Sequence, residues 1–356
     1  MQLAATTFDV ADMAAAVELC FEKKWTDGLP VVPPTPEAVE RVIEYLGRDP
    51  AAAIGVIPPR DGVATIEAIA INCVMAGCKL EYVPFVIAAV EAMQEERFNL
   101  NGVQTTTHSC APLVIVSGPA VKRLGFNTRE SALGHGCRAS ATIGRAVRLI
   151  LWNVGGGYPG APCKTTHGHP GYFSYCVAED AETNPWEPLH VERGFRPDET
   201  VVTVCAVEGP RLVGTGSGYS PIEDVLYMIA DSIATLGCNT ISGAEMALLI
   251  DPMSAKALAG AGLSKLDVKR EIVRLATRPV RDAKRRRSIA ESHPMHWSHS
   301  ADPRDDDARV PFVRSLEKLI VLVTGGWGSG ASFSSLCAGW GANRSQAVSK
   351  VVQFPA

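Results

Sequence analysis

Leu113-Val114-Ile115-Val116-Ser117-Gly118-Pro119 reads as a buried strand that ends in a tight turn, and the helical pattern after it stops at Gly125. The same order returns at Met246-Ala-Leu-Leu-Ile-Asp-Pro-Met-Ser-Ala-Lys-Ala-Leu258: an apolar strand, a turn with Pro252, then a helix carrying Ala and Leu. Upstream, Leu236-Gly237-Cys238 echoes Ala76-Gly77-Cys78. These repeats predict an α/β fold of strand-turn-helix units with a weak internal duplication around a shared cleft. A third strand, Leu319 to Val323, runs into Thr324-Gly325-Gly326-Trp327-Gly328-Ser329-Gly330. Ligands in open α/β sheets collect beyond strand ends, so these turns are the first places to search for a site.

Working outward, residues 1–60 are expected to form an N-terminal helix and a proline-rich arm. Residues 61–210 would form a first α/β half with a loop-rich insert, and residues 211–356 a second half. The first helix is placed over Asp9 to Lys24, stopping at Trp25-Thr26-Asp27-Gly28. Leu29 to Pro36 carries too many prolines for a central strand and leads to a helix capped by Thr35 with Pro36 at its first position. Residues 64–94 read as two helices joined at Ala76-Gly77-Cys78. Beyond the proline-studded insert, Thr200 to Val207 reads as a strand, and Asp267 to Arg287 as a basic helix broken at Pro279.

With 46% hydrophobic and 20% charged residues, the chain is a folded protein and not a disordered one. A net charge of −4 gives no drive toward nucleic acid or an acidic membrane. The basic run Lys284 to Arg287 is followed by the acidic run Asp302 to Asp307, which favours a solvated mixed-charge face. No leader pattern and no membrane-length apolar stretch is visible, so a cytoplasmic protein is expected. Ten scattered cysteines without a Cys-x-x-Cys pair are expected to be free thiols, several of them core residues.

Two loops are richer in chemistry than turn formation requires. Thr105-Thr106-Thr107-His108-Ser109-Cys110 precedes the first strand, and Gly134-His135-Gly136-Cys137-Arg138 precedes a helical pattern from Ser140 to Leu151. Cys137 is the better candidate for a reactive thiol, because a helix start, His135 and Arg138 all favour a thiolate. Cys110, with His108 close by, is the alternative. Arg138 and Arg145 would suit a carboxylate, although ordinary ion pairs explain them equally well. Glu187, His190 and Glu192 offer acid–base groups within one short segment, or a structural plug around Trp186. Cys110, Cys137, Cys163, His167 and His169 would be the ligands if zinc were bound, but the spacing is not that of a strong zinc motif, and no cofactor is expected. His293, His296 and His299 fit a surface loop. The glycines at 214, 216 and 218, and at 325 to 330, lack a phosphate-loop context.

Trp25-Thr26-Asp27-Gly28-Leu29-Pro30-Val31-Val32-Pro33-Pro34-Thr35, Ala76-Gly77-Cys78, Thr105-Thr106-Thr107, Ala141-Thr142-Ile143-Gly144-Arg145-Ala146 and Trp186-Glu187-Pro188-Leu189-His190-Val191-Glu192-Arg193 together resemble bacterial proteins linked to the UGSC-motif (seleno)protein family. The likeness spans most of the chain. It implies a cysteine- or selenocysteine-dependent enzyme system, often with a smaller companion protein. The chain departs from that family's motif, since its nearest string, Thr215-Gly216-Ser217-Gly218, has no sulfur.

The expectation is a cysteine-dependent enzyme acting on a small carboxylate-bearing substrate, as a lyase, hydratase or thiol-dependent transferase. Cys110 or Cys137 would react, His108 or His135 would move protons, and Arg138 and Arg145 would hold the carboxylate. Thr105, Thr106, Thr107, Gly326 and Gly328 would line the pocket. A zinc-type hydrolase or lyase built on the His and Cys residues is one alternative. The other is a non-catalytic subunit of a two-protein enzyme; a homo-oligomer is also expected, with neither nucleic acid nor membrane as a partner.

Overall fold

The computed structural model describes residues 3–160, 162–216, 220–238, 243–285, 296–327, 332–340 and 344–355. Gly328 to Gly330, His293, Ser217-Gly218 and Arg286-Arg287 lie outside these residues. The chain opens with α1 (Met13–Glu22), α2 (Pro36–Leu46), a hairpin of β1 (Ala53–Ile57) and β2 (Gly62–Thr65), then α3 (Ile66–Ala76) and α4 (Val83–Met93). Short α5 (Leu100–Thr105) leads to β3 (Ala111–Ser117), short α6 (Ala120–Arg123), α7 (Arg138–Asn153), β4 (Cys176–Ala178), short α8 (Leu189–Glu192) and β5 (Val201–Val207). β6 (Arg211–Gly216), α9 (Ile222–Ile233), β7 (Met246–Ile250), α10 (Pro252–Gly260) and α11 (Lys265–Leu275) follow. The chain closes with β8 (Thr277–Pro279), short α12 (Val280–Ala283), β9 (Arg309–Pro311), β10 (Leu319–Val323), β11 (Ser332–Cys337) and β12 (Val348–Val351).

The expected α/β fold is present, built on two four-stranded sheets ordered β12-β5-β3-β4 and β6-β11-β7-β10. Each begins with a parallel couple, β4 with β3 and β10 with β7, and continues through two antiparallel neighbours. β6 follows β5 in the chain but joins the second sheet, whereas β12 follows β11 and closes the first. A boundary at residue 210 thus leaves the second sheet whole, while β12 reaches back from the C-terminal part to complete the first.

Strand periodicity explains the layers, because successive side chains point to opposite faces. Leu113, Ile115, Val177, Cys205 and Val207 of the first sheet meet Leu249, Ile320, Leu322 and Cys337 of the second in one buried cluster. The alternate residues, such as Val114, Val116 and Val204, pack on α2, α3, α4 and α7, and Met246, Leu248 and Val321 on α9, α10 and α11. The order is thus helices, sheet, sheet, helices. Both faces of every central strand are covered, which is why Leu113 to Val116 is apolar without alternation.

Among the described residues, the face between the sheets is no cleft, since those apolar side chains fill it. The helices after the two turns also differ: Pro119 precedes a four-residue helix and Pro252 opens a nine-residue one. Local signals were otherwise sound. Thr35 caps α2, accepting from Ala38 N at 3.3 Å, and Gly77 ends α3 with φ +81°, a conformation that favours glycine. The first helix starts later than Asp9 because Asp12 is its cap, accepting from Ala15 N. The expected basic helix ends at Leu275, where Thr277–Pro279 pairs with β9. Arg278 pairs with Asp231, Arg281 with Asp307 and Lys284 with Asp306, the mixed-charge face expected there. Among the described residues no helix is long and apolar enough to cross a membrane.

Candidate functional site

The threonine run turns out to serve its own backbone. Thr105 Oγ1 donates to Asn101 O at 2.8 Å, one turn back in α5, and Thr106 Oγ1 accepts from His108 N at 3.1 Å. Thr107 contributes its carbonyl, which receives both the amide and the hydroxyl of Thr166. His108 differs: its Nε2 lies 2.6 Å from Glu208 Oε1, while Nδ1 is buried without a partner. Thr165 and Ser109 join this loop to the segment at 163–172, and Tyr172 Oη donates to Cys110 O at 2.7 Å. Cys110 itself is a poor nucleophile, because burial, with Glu208 adding to it, pushes its thiol far up.

Cys137 stands immediately before α7. Burial acts to raise its thiol, but the backbone amides of Ser140 and Asn127, with the Ser140 hydroxyl and the Ala139 amide, outweigh it and hold the thiol below its ordinary range. The Asn127 amide donates to Sγ at 3.3 Å. Free N–H groups at a helix start favour an anion, and Cys137 with Ser140 has the spacing of a cap and its third residue. Cys20, Cys73, Cys110, Cys176, Cys205 and Cys337 are all shifted the other way, burial being the first cause in each. Cys137 keeps 9% of its surface open, against 1% for Cys110.

The expected single site is therefore divided. Cys137 lies at the first turn of α7, whereas the His108 loop is reached through Tyr172, whose ring packs against Arg148 further along the helix. Arg138 and Arg148 are ten residues apart, about 15 Å along the axis. Gly325 and Gly326 lie against the 127–130 loop, Gly326 facing Glu130, and the Asn127 amide of that loop donates to Cys137 Sγ. Gly325 N donates to Thr128 O and Thr324 Oγ1 to Ala178 O, at the end of β4 that pairs with Val116, while the His108 loop enters β3 at Ala111. Seven residues of β3 hold these loops about 20 Å apart. The expected juxtaposition of residues 105–110 with Gly325 and Gly326 is refuted, and Gly328 lies outside the described residues.

The arginines also separate. Arg145 grips Asp27 with a fork, Nε to Oδ2 at 3.1 Å and Nη2 to Oδ1 at 2.9 Å, and adds Leu29 O at 3.1 Å. The carboxylate it holds belongs to the chain. With Trp152 Nε1 on Lys24 O and Asn153 Nδ2 on Trp25 O, it fixes the Trp25–Leu29 turn to α7. Arg138 is exposed and spends Nε and Nη2 on Gly77 O, at the end of α3. His135 is exposed on the same loop, its Nδ1 3.3 Å from Ser131 Oγ.

Glu187, His190 and Glu192 do not form an acid–base cluster. Glu192 is clamped between Lys265 at 2.9 Å and Lys269 at 2.6 Å, tying α8 to α11. The side chain of Glu187 is exposed, and His190 is buried with its pKa lowered first by burial. Among the described residues no three His, Cys, Asp or Glu are placed to hold a metal ion; Cys137 in particular is remote from Cys110, Cys163 and His169. A half-open cavity of about 550 Å³ lies between the N-terminal arm, α1 and α3, but its lining is neutral and includes none of the expected site residues. Glu208, Ser140 and Tyr172 were missed from sequence. Glu208 had a usable signal, an acid at the end of an apolar strand just before Gly209-Pro210. No family model matches the chain, and no curated protein matches it.

Proposed function

We propose that the chain is an enzyme acting on a small anionic substrate through the Cys137 thiolate, in a covalent transfer or elimination step. The observation that carries this reading is the thiol's position at the start of α7, where backbone amides outweigh burial and favour the anion. Arg138 Nη1 would take the substrate's carboxylate, and His135, two residues from the thiol, would carry the proton. The family resemblance supports thiol chemistry and a companion protein, and sizing the chain alone and with its genomic neighbour tests the latter. Iodoacetamide at pH 6.5 should modify Cys137 first, located by mass spectrometry, and Cys137→Ser should remove that early product. First labelling at Cys20 or Cys78 would end the proposal.

A second reading rests on the 2.6 Å contact of His108 with Glu208: an imidazole oriented by a carboxylate is the arrangement of a general base. On that reading Glu208→Gln abolishes turnover and Cys137→Ser leaves it intact.

A further inference from the structure

Arg148 is the charged side chain that neither reading uses. It projects from α7 between two rings, its Cζ 5.8 Å from the Trp152 centroid and 5.5 Å from that of Tyr172. Its one hydrogen bond among the described residues runs from Nη2 to Gly157 O at 2.8 Å, and it makes no ion pair there. The carboxylate whose field reaches it, Asp27, is already held by the fork of Arg145. Nε and Nη1 are left without a partner among the described residues.

The guanidinium is half-buried against the two rings. Arg148 keeps part of its surface open to solvent, yet the protein is dense enough around it that burial lowers its pKa. A guanidinium in such a place carries an uncompensated desolvation cost unless an anion meets it. The two ring faces offset part of that cost but supply no counter-charge. Cys163 and Tyr172 are the other titratable groups beside it, and the Tyr172 hydroxyl is spent on Cys110 O. Carboxylate and phosphate oxygens match the remaining N–H groups.

We infer that Arg148 is the floor of a binding site for a small oxyanion, a carboxylate or phosphate group presented between the Trp152 and Tyr172 rings. The site is distinct from Cys137, which stands at the far end of the same helix, and it depends on neither functional reading above.

The test titrates the purified full chain with inorganic phosphate and, separately, with acetate, at ionic strength held constant with sodium chloride. Tryptophan emission and the thermal midpoint are followed, since Trp152 forms a wall. The expected result is a saturable change in emission and a rise in midpoint with at least one anion; which one responds identifies the group recognised. Arg148→Met should lose both responses while its midpoint without anion is no lower than that of the wild type. Arg148→Lys, which keeps the charge but not the fork, should bind about tenfold more weakly. Absence of saturation with both anions, or an equal response in Arg148→Met, overturns the site. If Arg148→Met does not fold, unchanged affinity in Arg148→Lys overturns it instead. Early labelling of Cys137 is read in a separate experiment, so either idea can fail alone.

Discussion

Replacing Asp27 by alanine should destabilise the protein although Asp27 lies in a turn. Its side chain is 3% exposed and that of Arg145 is 16% exposed, and the two are joined by the paired bonds of a fork. Removing one partner of a buried pair leaves the other charge without compensation, a loss of about 3–5 kcal/mol. Arg145 would retain its bond to Leu29 O and a little solvent, which places Asp27→Ala near the lower end, about 3 kcal/mol. Arg145→Lys keeps the charge and gives up the fork, for about 1–3 kcal/mol. Urea unfolding followed by circular dichroism measures both, with the midpoint moving and the slope unchanged. In the double-mutant cycle with Arg145→Ala, the coupling should fall at the upper part of the 0.5–3 kcal/mol range seen for contacting residues, about 2 kcal/mol or more. Single losses below about 1 kcal/mol, the level of an exposed pair, would refute the claim that this pair anchors the turn. The rate of Cys137 labelling should not change in Arg145→Lys, because the guanidinium is committed to Asp27.

Other consequences can be measured as directly. The pH profile of Cys137 alkylation should have its midpoint below that of an ordinary thiol, and Ser140→Ala should move it upward; a midpoint that stays in the ordinary range, or ignores Ser140, removes the role of the helix start. Glu192→Gln strands Lys265 and Lys269, which are only 5% and 9% exposed, and should cost about 3–5 kcal/mol in the same urea assay. Burial raises the Glu192 carboxyl, but the two lysines outweigh it and the net shift is downward. A depressed folded pKa gives stability that is full above the unfolded carboxylate value, about 4.3, and is lost as pH falls through the folded value. Wild type should therefore lose stability in acid more steeply than Glu192→Gln, and parallel acid profiles would count against the pair. Gly339→Ala places a methyl group into Glu245 O, so it should break the bridge between Gly339 and Val207 and lower the thermal midpoint; an unchanged midpoint would mean the backbone there yields freely.

The elements that sequence disclosed were those fixed by local chemistry. Thr35-Pro36 marked a helix start, Gly77 a helix end, and Leu113 to Val116 and Leu319 to Val323 were strands because few other structures bury such runs. Pairing between distant strands leaves no local trace, so the place of β12 beside β5 was not legible. The same limit governed the site. Cys137 was readable as an activated thiol because its cause, a helix start, is adjacent in sequence. Arg145 was misjudged because its partner, Asp27, is brought to it only by the fold. His108 was noticed, but the acid that orients it arrives from the end of another strand. Thr105 misled because a hydroxyl that bonds a neighbouring carbonyl looks, in sequence, like one held free for a ligand.

The return of β12 to the first sheet has a consequence for how the chain becomes a folded protein. During synthesis the partner of Val204 in β12, Val348, emerges long after β5, and Arg211 must wait for Leu336. Each such pairing closes a long loop, whose entropy is lost before the contact rewards it, so folding should be slow and should finish only when the whole chain is present. Cut at residue 210, the chain divides unevenly: residues 1–210 lack an edge strand of their sheet, whereas residues 211–356 keep β6, β7, β10 and β11 together and carry β12 with nothing to pair it. Mixed together, the two fragments should associate through β12, the strand that residues 211–356 hold and the sheet of residues 1–210 lacks.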